Sequence, residues 1–305
     1  MNITEVRPRL YLVELEQEIQ GFGAFIGSWV YNGEKERFLV DAGPQVSARR
    51  LLEALRILEI RKLDLIFLTH IHIDHAGGTG ILVNDFPESK VICHEAGLPH
   101  LIDPRKLWEG SKKVLGDLAL KYGEITAVPA ENLLSSDRFR REGFQVIRTP
   151  GHAAHHISIV FRNYLFAGEA GGLYIPQGSK PYLRPSTPPK FVLEEAVGSI
   201  DRLLDVAAGR EICYGHFGIH PDAMEMLRRH RNQLYLWKDV IAEQMKTNGE
   251  RNLDDLVKRS IPVLLERDQL FRPFSDLSRE DNARERDFVK NSIQGISEYI
   301  RDNSK

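Results

Sequence analysis

The sequence predicts an α+β fold with an all-helical extension at its C-terminal side, on three observations. Short runs rich in aromatic and β-branched residues alternate with segments of helical period as far as about residue 221. From Asp222 onward no further strand is apparent and only helical spacing recurs. In between, the continuous apolar run LDLIFLTH at 63–70 ends in a dense polar cluster, as a strand buried on both faces does where it leaves its sheet.

The elements follow in order. RLYLV at 9–13, AFIGSWVY at 24–31 and RFLVD at 37–41 read as strands, separated by Gly21, Gly23 and the turn NGEKE. DAGP at 41–44 ends the third. A helix follows, because Leu51, Leu52, Leu55, Leu58 and Ile60 keep a helical period with charged residues between them. After the buried strand at 63–70 come a strand at 91–94, a helix over 104–122 and strands at 144–148, 157–161 and 164–168, the last two as a hairpin around Arg162 and Asn163. Residues 172–190 hold five prolines and read as a loop; a helix at about 191–206 and the strand REICYGH at 210–216 complete this part. In 222–305, Met224, Leu227, Leu234, Trp237, Ile241 and Met245 recur at helical spacing. So do Val289, Ile293, Ile296 and Ile300, behind a cap at Ser278 with Asp281 three residues on. The expected division is therefore 1–221 for the catalytic part and 222–305 for the helical extension. The stripes of the extension are expected to bury against the core near the mouth of the site, or to make a homodimer.

Composition narrows the function. With 42% hydrophobic and 28% charged residues the chain is of ordinary globular type. A formal net charge of −2 offers no basic excess for a polyanion, so no nucleic-acid partner is expected. No apolar run approaches the roughly 20 residues of a membrane span, and the N-terminus lacks the pattern of a signal peptide. Cys93 and Cys213 each sit in an apolar stretch and read as buried hydrophobes, so a reducing, cytoplasmic setting is expected.

The chemistry concentrates in THIHIDHAGG at 69–78. Three of the eleven histidines and an aspartate fall within six residues, directly after the buried strand. In a loop leaving a strand end, His70 and His72 can serve one metal while Asp74 and His75 turn toward another. Imidazole and carboxylate are ligands that zinc, iron and manganese accept.

The run HIHIDH resembles the HxHxDH signature of the metallo-β-lactamase superfamily, and the resemblance covers roughly residues 8–220. It implies a four-layer αβ/βα sandwich, two mixed sheets face to face with helices outside, which the pairing of buried strands with helices also favours. It implies further ligands: His152 in TPGH, Glu169 in FAGE where the family usually has aspartate, and His216 in YGHFG. DAGP, with Asp41, is similar to the family's early D-x-G turn. The motif set looks like that of glyoxalase II-like hydrolases.

These residues together imply two divalent transition-metal ions, zinc first with iron or manganese as alternatives. Such ions lower the pKa of a shared water toward 7, and the hydroxide attacks a small acyl substrate, a thioester or other ester-like bond. Asp74 is expected to ligate and to handle a proton, and Glu169 to bridge. Tyr174 and Tyr182, in and beside the proline-rich loop, are offered as substrate hydrogen-bond donors. His156 is expected to support a ligand by hydrogen bonding, His94 and His100 to be structural, and His230, in RRHR, to lie on a solvated helix face. A nuclease or phosphodiesterase would need a basic track for phosphates; a non-catalytic metal-binding regulator is the other alternative.

Overall fold

The structure, a computed structural model, describes residues 2–178, 180–246 and 252–303. The chain forms two compact units. One comprises the residues up to Arg148, His155–Arg162 and Gly215–Phe217; the other comprises Thr149–Ala154, Asn163–Tyr214 and the residues from Gly218 on.

The first unit is built on a seven-stranded mixed sheet whose strands lie in chain order. They are β1 (Ile3–Arg7), β2 (Leu10–Glu14), β3 (Gly27–Asn32), β4 (Arg37–Val40), β5 (Leu65–Phe67), β6 (Lys90–Cys93) and β7 (Leu133–Ser135). Pairing is antiparallel from β1 to β4 and parallel from β4 to β7. Parallel neighbours need crossovers. α1 (Ala48–Ile57) supplies the first, α2 (Ile73–Ala76) and α3 (Thr79–Asp85) the second, and α4 (Leu98–Ile102), α5 (Arg105–Leu115) and α6 (Asp117–Tyr122) the third. The single helix expected over 104–122 is two, because Gly116 adopts φ 56° and interrupts it. Strand β1 escapes sequence reading because ITEVR is half-exposed and carries no apolar alternation. Strand β7 escapes it because it is only LLS.

The hairpin β8 (Phe144–Arg148) and β9 (Ile157–Phe161) belongs to the same unit, with Phe144 opposite Phe161 and Arg148 opposite Ile157. Its aromatic residues meet those of the large sheet. Phe144 lies 5.2 Å from Phe38 and 5.3 Å from Phe67, and Phe161 lies 5.0 Å from both Tyr31 and Phe38, ring centre to ring centre. Most of these pairs are edge-to-face, a geometry worth about 0.5–1.5 kcal/mol each beyond the area buried.

In the second unit β10 (Tyr164–Gly168) runs parallel to β13 (Glu211–Tyr214), which pairs antiparallel with β14 (Ile219–His220). The loop expected at 172–190 contains a two-stranded antiparallel ribbon, β11 (Leu173–Ile175) with β12 (Tyr182–Arg184). Its prolines fall outside the paired residues, which is why local composition conceals it. Helices α7 (Leu193–Ala207), α8 (Ala223–Lys246), α9 (Leu253–Arg267) and α10 (Arg279–Asp302) follow, and α8 packs on the other three. Helix α10 starts as expected, Ser278 accepting a hydrogen bond from the Asp281 amide. The buried stripe of α8 is Met226, Leu227, Leu234, Trp237, Val240 and Ile241, with Met224 only half-buried. His230 is not on a solvated face. It is 3% exposed, part of that stripe, and bonded to Gln233 at 3.0 Å. The charged residues flanking it in sequence misled; on a helix they point elsewhere.

Two polar networks cross this helical core. Asp268 accepts from Trp237 Nε1 and Gln233 Nε2, both at 2.7 Å, and from the amides of Leu270 and Phe271; burial still pushes its carboxyl up. Glu285, fully buried, meets Arg184 Nε at 2.5 Å, Tyr182 Oη at 2.8 Å and Arg284 Nε at 3.2 Å. Burial would raise the Glu285 carboxyl, but the two guanidinium groups and the tyrosine hold it below its ordinary value. Glu285→Ala leaves the Arg184 charge buried without its counter-charge. It is expected to destabilise the protein by about 3–5 kcal/mol, measured by urea unfolding at pH 7, whereas Glu280→Ala on the exposed side of α10 should change the midpoint little.

Candidate metal centre

The site grows from the turn after β4. Asp41 is buried and adopts φ 63°, a left-handed conformation that costs a non-glycine residue energy. In return its carboxylate faces the end of β5. Oδ1 accepts from the Thr69 amide at 2.8 Å, and Oδ2 accepts from the Thr69 hydroxyl at 2.8 Å and from His75 Nδ1 at 2.9 Å. The chain segments are pressed together: a Cβ on Gly77 would lie 2.8 Å from the Gln45 amide, so the glycine pair of HAGG is what lets DAGP approach.

These bonds set the state of the rings. A carboxylate only accepts, so His75 carries a proton on Nδ1, and in the neutral ring Nε2 keeps its lone pair. Thr69 donates its hydroxyl proton to Asp41 and therefore accepts from His70 Nδ1, 3.0 Å away, so in the neutral ring His70 Nε2 also keeps its lone pair. That atom lies 3.0 Å from His72 Nδ1. His72 stands immediately before α2, and Asp74 and His75 occupy its first turn, so one tight turn sends the side chains in different directions. His216 is set by Phe25, ring centre to ring centre 4.6 Å. Its Nε2 lies 4.0 Å from Asp74 Oδ2, which in turn is 3.7 Å from His75 Nε2. Ligand atoms of Asp74, His75 and His216 all fall within 4.8 Å of one another. Within the first unit, His70, His72, Asp74, His75 and His216 are thus brought together, the His70 and His75 rings 4.2 Å apart and those of His75 and His216 5.0 Å apart. His156 is fully buried, its ring 5.3 Å from that of His70.

His152 and Glu169 meet in the second unit. Glu169 opens a short 3-10 turn after β10, and its Oε2 lies 2.6 Å from His152 Nε2. The Ser186 carbonyl, 3.2 Å from His152 Nδ1, can only accept, so Nδ1 carries a proton. Nε2 and the Glu169 oxygen, at 2.6 Å, are close enough to share a proton or to face one metal ion. The donor set, imidazole nitrogen and carboxylate oxygen converging in both units, fits divalent transition metals.

The family model described as the metallo-β-lactamase superfamily matches residues 24–216. The chain belongs to the metallo-β-lactamase superfamily. A curated relative, the metallo-β-lactamase fold-containing protein ST1585 of Sulfurisphaera tokodaii, is 30% identical over 247 residues, 78% of this chain and 88% of the relative. The crystal structure of ST1585 superimposes with a TM-score of 0.66 at 22% identity, covering 95% of this chain and 98% of that one. A hydroxyacylglutathione hydrolase of Vibrio campbellii is 27% identical over 295 residues, 91% of this chain and 92% of the relative. The fold is the α+β sandwich of the superfamily, and the chain is a metal-binding hydrolase of that superfamily.

The tyrosines singled out in the sequence take other surroundings. Tyr182 is 0% exposed with its hydroxyl committed to Glu285, and Tyr174 stacks on Tyr214 at 4.4 Å and 4°. The Tyr182 hydroxyl is thus already engaged, while Tyr174 is held through its ring. Sequence reading missed Ser186, which no motif marks, and Thr69, whose hydroxyl matters only once Asp41 is seen beside it. It missed His230 as well. That ring closes over Gly172, where a Cβ would be 2.9 Å from His230 Cε1, and lines a small cavity with His152, Glu169 and Ser186.

Two outcomes follow. Asn tolerates a positive φ, so Asp41→Asn removes the carboxylate charge without forcing the turn; bound zinc is expected to weaken about 10–100-fold, read by competition with a chromophoric chelator. Burial lowers the His230 pKa from 6.5 to about 4, against the opposing bond to Gln233. Between those values the unfolded chain holds a proton that the folded chain lacks, so stability declines as pH falls from 6.5 toward 4. His230→Gln should flatten that decline by about 3 kcal/mol in unfolding free energy measured against pH.

Proposed function

We propose that this protein is a dinuclear metal-dependent hydrolase of a small acyl substrate, a thioester or a related ester-like bond. The observation that carries the reading is the convergence of Asp74, His75 and His216, with the His75 ring fixed by a buried carboxylate so that in the neutral ring its Nε2 keeps its lone pair. A buried polar cluster of this kind is costly unless a cation satisfies it. His70, His72, Asp74, His75 and His216 of the first unit and His152 and Glu169 of the second are the residues that would hold the ions. Zinc suits this mixture of nitrogen and oxygen ligands.

When bound, the ions supply Lewis acidity, lowering the pKa of a water and polarising the substrate carbonyl. The residues do the rest. Asp41 and Thr69 keep His70 and His75 in one tautomer through the cycle. Asp74, the most accessible of the first-unit acids here, with a side chain 18% exposed, orients the attacking water, takes its proton and delivers it to the departing sulfur or oxygen. The thioester preference is supported by the likeness to a hydroxyacylglutathione hydrolase over nearly the full length of both chains.

The site predicts its own test. Purified protein reconstituted with zinc is expected to hold close to two ions per chain and to hydrolyse thioesters in a screen that also offers lactones and phosphodiesters, with activity abolished by chelators. His72→Ala should lose one ion. Glu169→Gln should weaken one more than Glu169→Asp, since it removes the charge between two cations. A protein that binds no zinc refutes the reading; a two-ion protein that cleaves only phosphodiesters refutes the substrate class.

A further inference from the structure

Ser186 lies on the strand of chain that runs from β12 toward α7, with prolines on both sides of it in the sequence. Its hydroxyl sits 3.1 Å from His152 Nδ1 and 3.0 Å from Glu169 Oε2, and its carbonyl 3.2 Å from His152 Nδ1. His152 Nδ1–H is shared between the carbonyl and the hydroxyl oxygen of Ser186, and the hydroxyl proton goes to Glu169. One residue therefore fixes the tautomer of His152 and the rotation of the Glu169 carboxylate.

The neighbours of Ser186 are tied to α10. Ser292 Oγ donates to the Pro185 carbonyl at 3.0 Å, and Thr187 Oγ1 donates to the Ser292 carbonyl at 3.0 Å. Gly295 lets the segment lie against the helix, since a Cβ there would fall 2.3 Å from the Thr187 oxygen and 2.4 Å from the Pro188 oxygen. Ser292 and Thr187 are both buried, so these bonds are made out of competition with water.

We propose that Ser186, strapped to α10 through Ser292 and Gly295, is a positioning residue that holds His152 and Glu169 in register for a metal ion. The longer side chain of Glu169 has one more rotatable bond than the aspartate usual in the superfamily, and a hydroxyl on its Oε2 removes that freedom. The terminal helix thereby acts on the metal centre without contributing a ligand to it. This rests on the metal-binding reading above.

The experiment is a zinc titration of the full chain against a chromophoric chelator, with metal content measured by elemental analysis. Ser186→Ala is expected to bind one zinc like the unaltered protein and the other about 10–100-fold more weakly. Ser186→Thr, which keeps the hydroxyl, should recover most of the loss. Ser292→Ala alters none of Ser186, His152 and Glu169 and loosens only the strap that positions them; it should weaken the same zinc several-fold, and it carries the test if Ser186→Ala does not fold. Zinc constants unchanged in both Ser186→Ala and Ser292→Ala, with zinc-free unfolding midpoints close to that of the unaltered protein, overturn the proposal while leaving the two-metal reading intact. An unaltered protein that takes up no zinc overturns both.

Discussion

One strained carboxylate underlies the first half of this site. Asp41 adopts a left-handed backbone conformation, and its two oxygens accept from a backbone amide, a hydroxyl and an imidazole. Each bond is modest in isolation, but all are buried, and a charged acceptor in low dielectric binds its donors strongly. The arrangement ties the end of β4 to the end of β5 and decides, at one atom, how two histidines carry their protons. The residues of the HIHIDH run offer candidate ligand atoms, and Asp41 orients the rings that carry two of them.

The second unit solves the same problem by different means. No strained residue orients His152. A carbonyl and a hydroxyl from Ser186 do so, and their place depends on helices whose interior holds charged networks around Glu285 and Asp268. Buried polar groups of this kind add little net stability when paired and cost much when unpaired. Their value is that they admit few alternative packings. The ribbon β11–β12 that carries Tyr182 and Arg184 leads directly into Ser186, so what fixes the ribbon against α10 also fixes Ser186.

Much of this was legible in the residues. The HIHIDH run follows a buried strand, as its apolar lead-in implies, and α10 begins at the Ser278 cap. Strands of four or five residues with strong apolar character were found within a residue or two of their places. What escaped had no local signature. β7 is three residues long, β1 is half-exposed, and β11 and β12 lie among prolines that speak for a loop. His230 was misread because a sequence neighbourhood of arginines says nothing about which side of a helix a residue takes. Ser186 and Thr69 are the general case. Groups that orient ligands are small, common residue types, and they become recognisable only when folding sets them beside a group that needs a proton donor or acceptor.

The two compact units are not contiguous in the chain. Thr149–Ala154 and Gly215–Phe217 each interrupt longer segments assigned to the opposite unit, and His152 and His216 lie in these short excursions. No single cut in the polypeptide therefore separates the two units. Preparing either unit alone would need splices at these excursions, so His152 or His216 would lie within a few residues of a new junction.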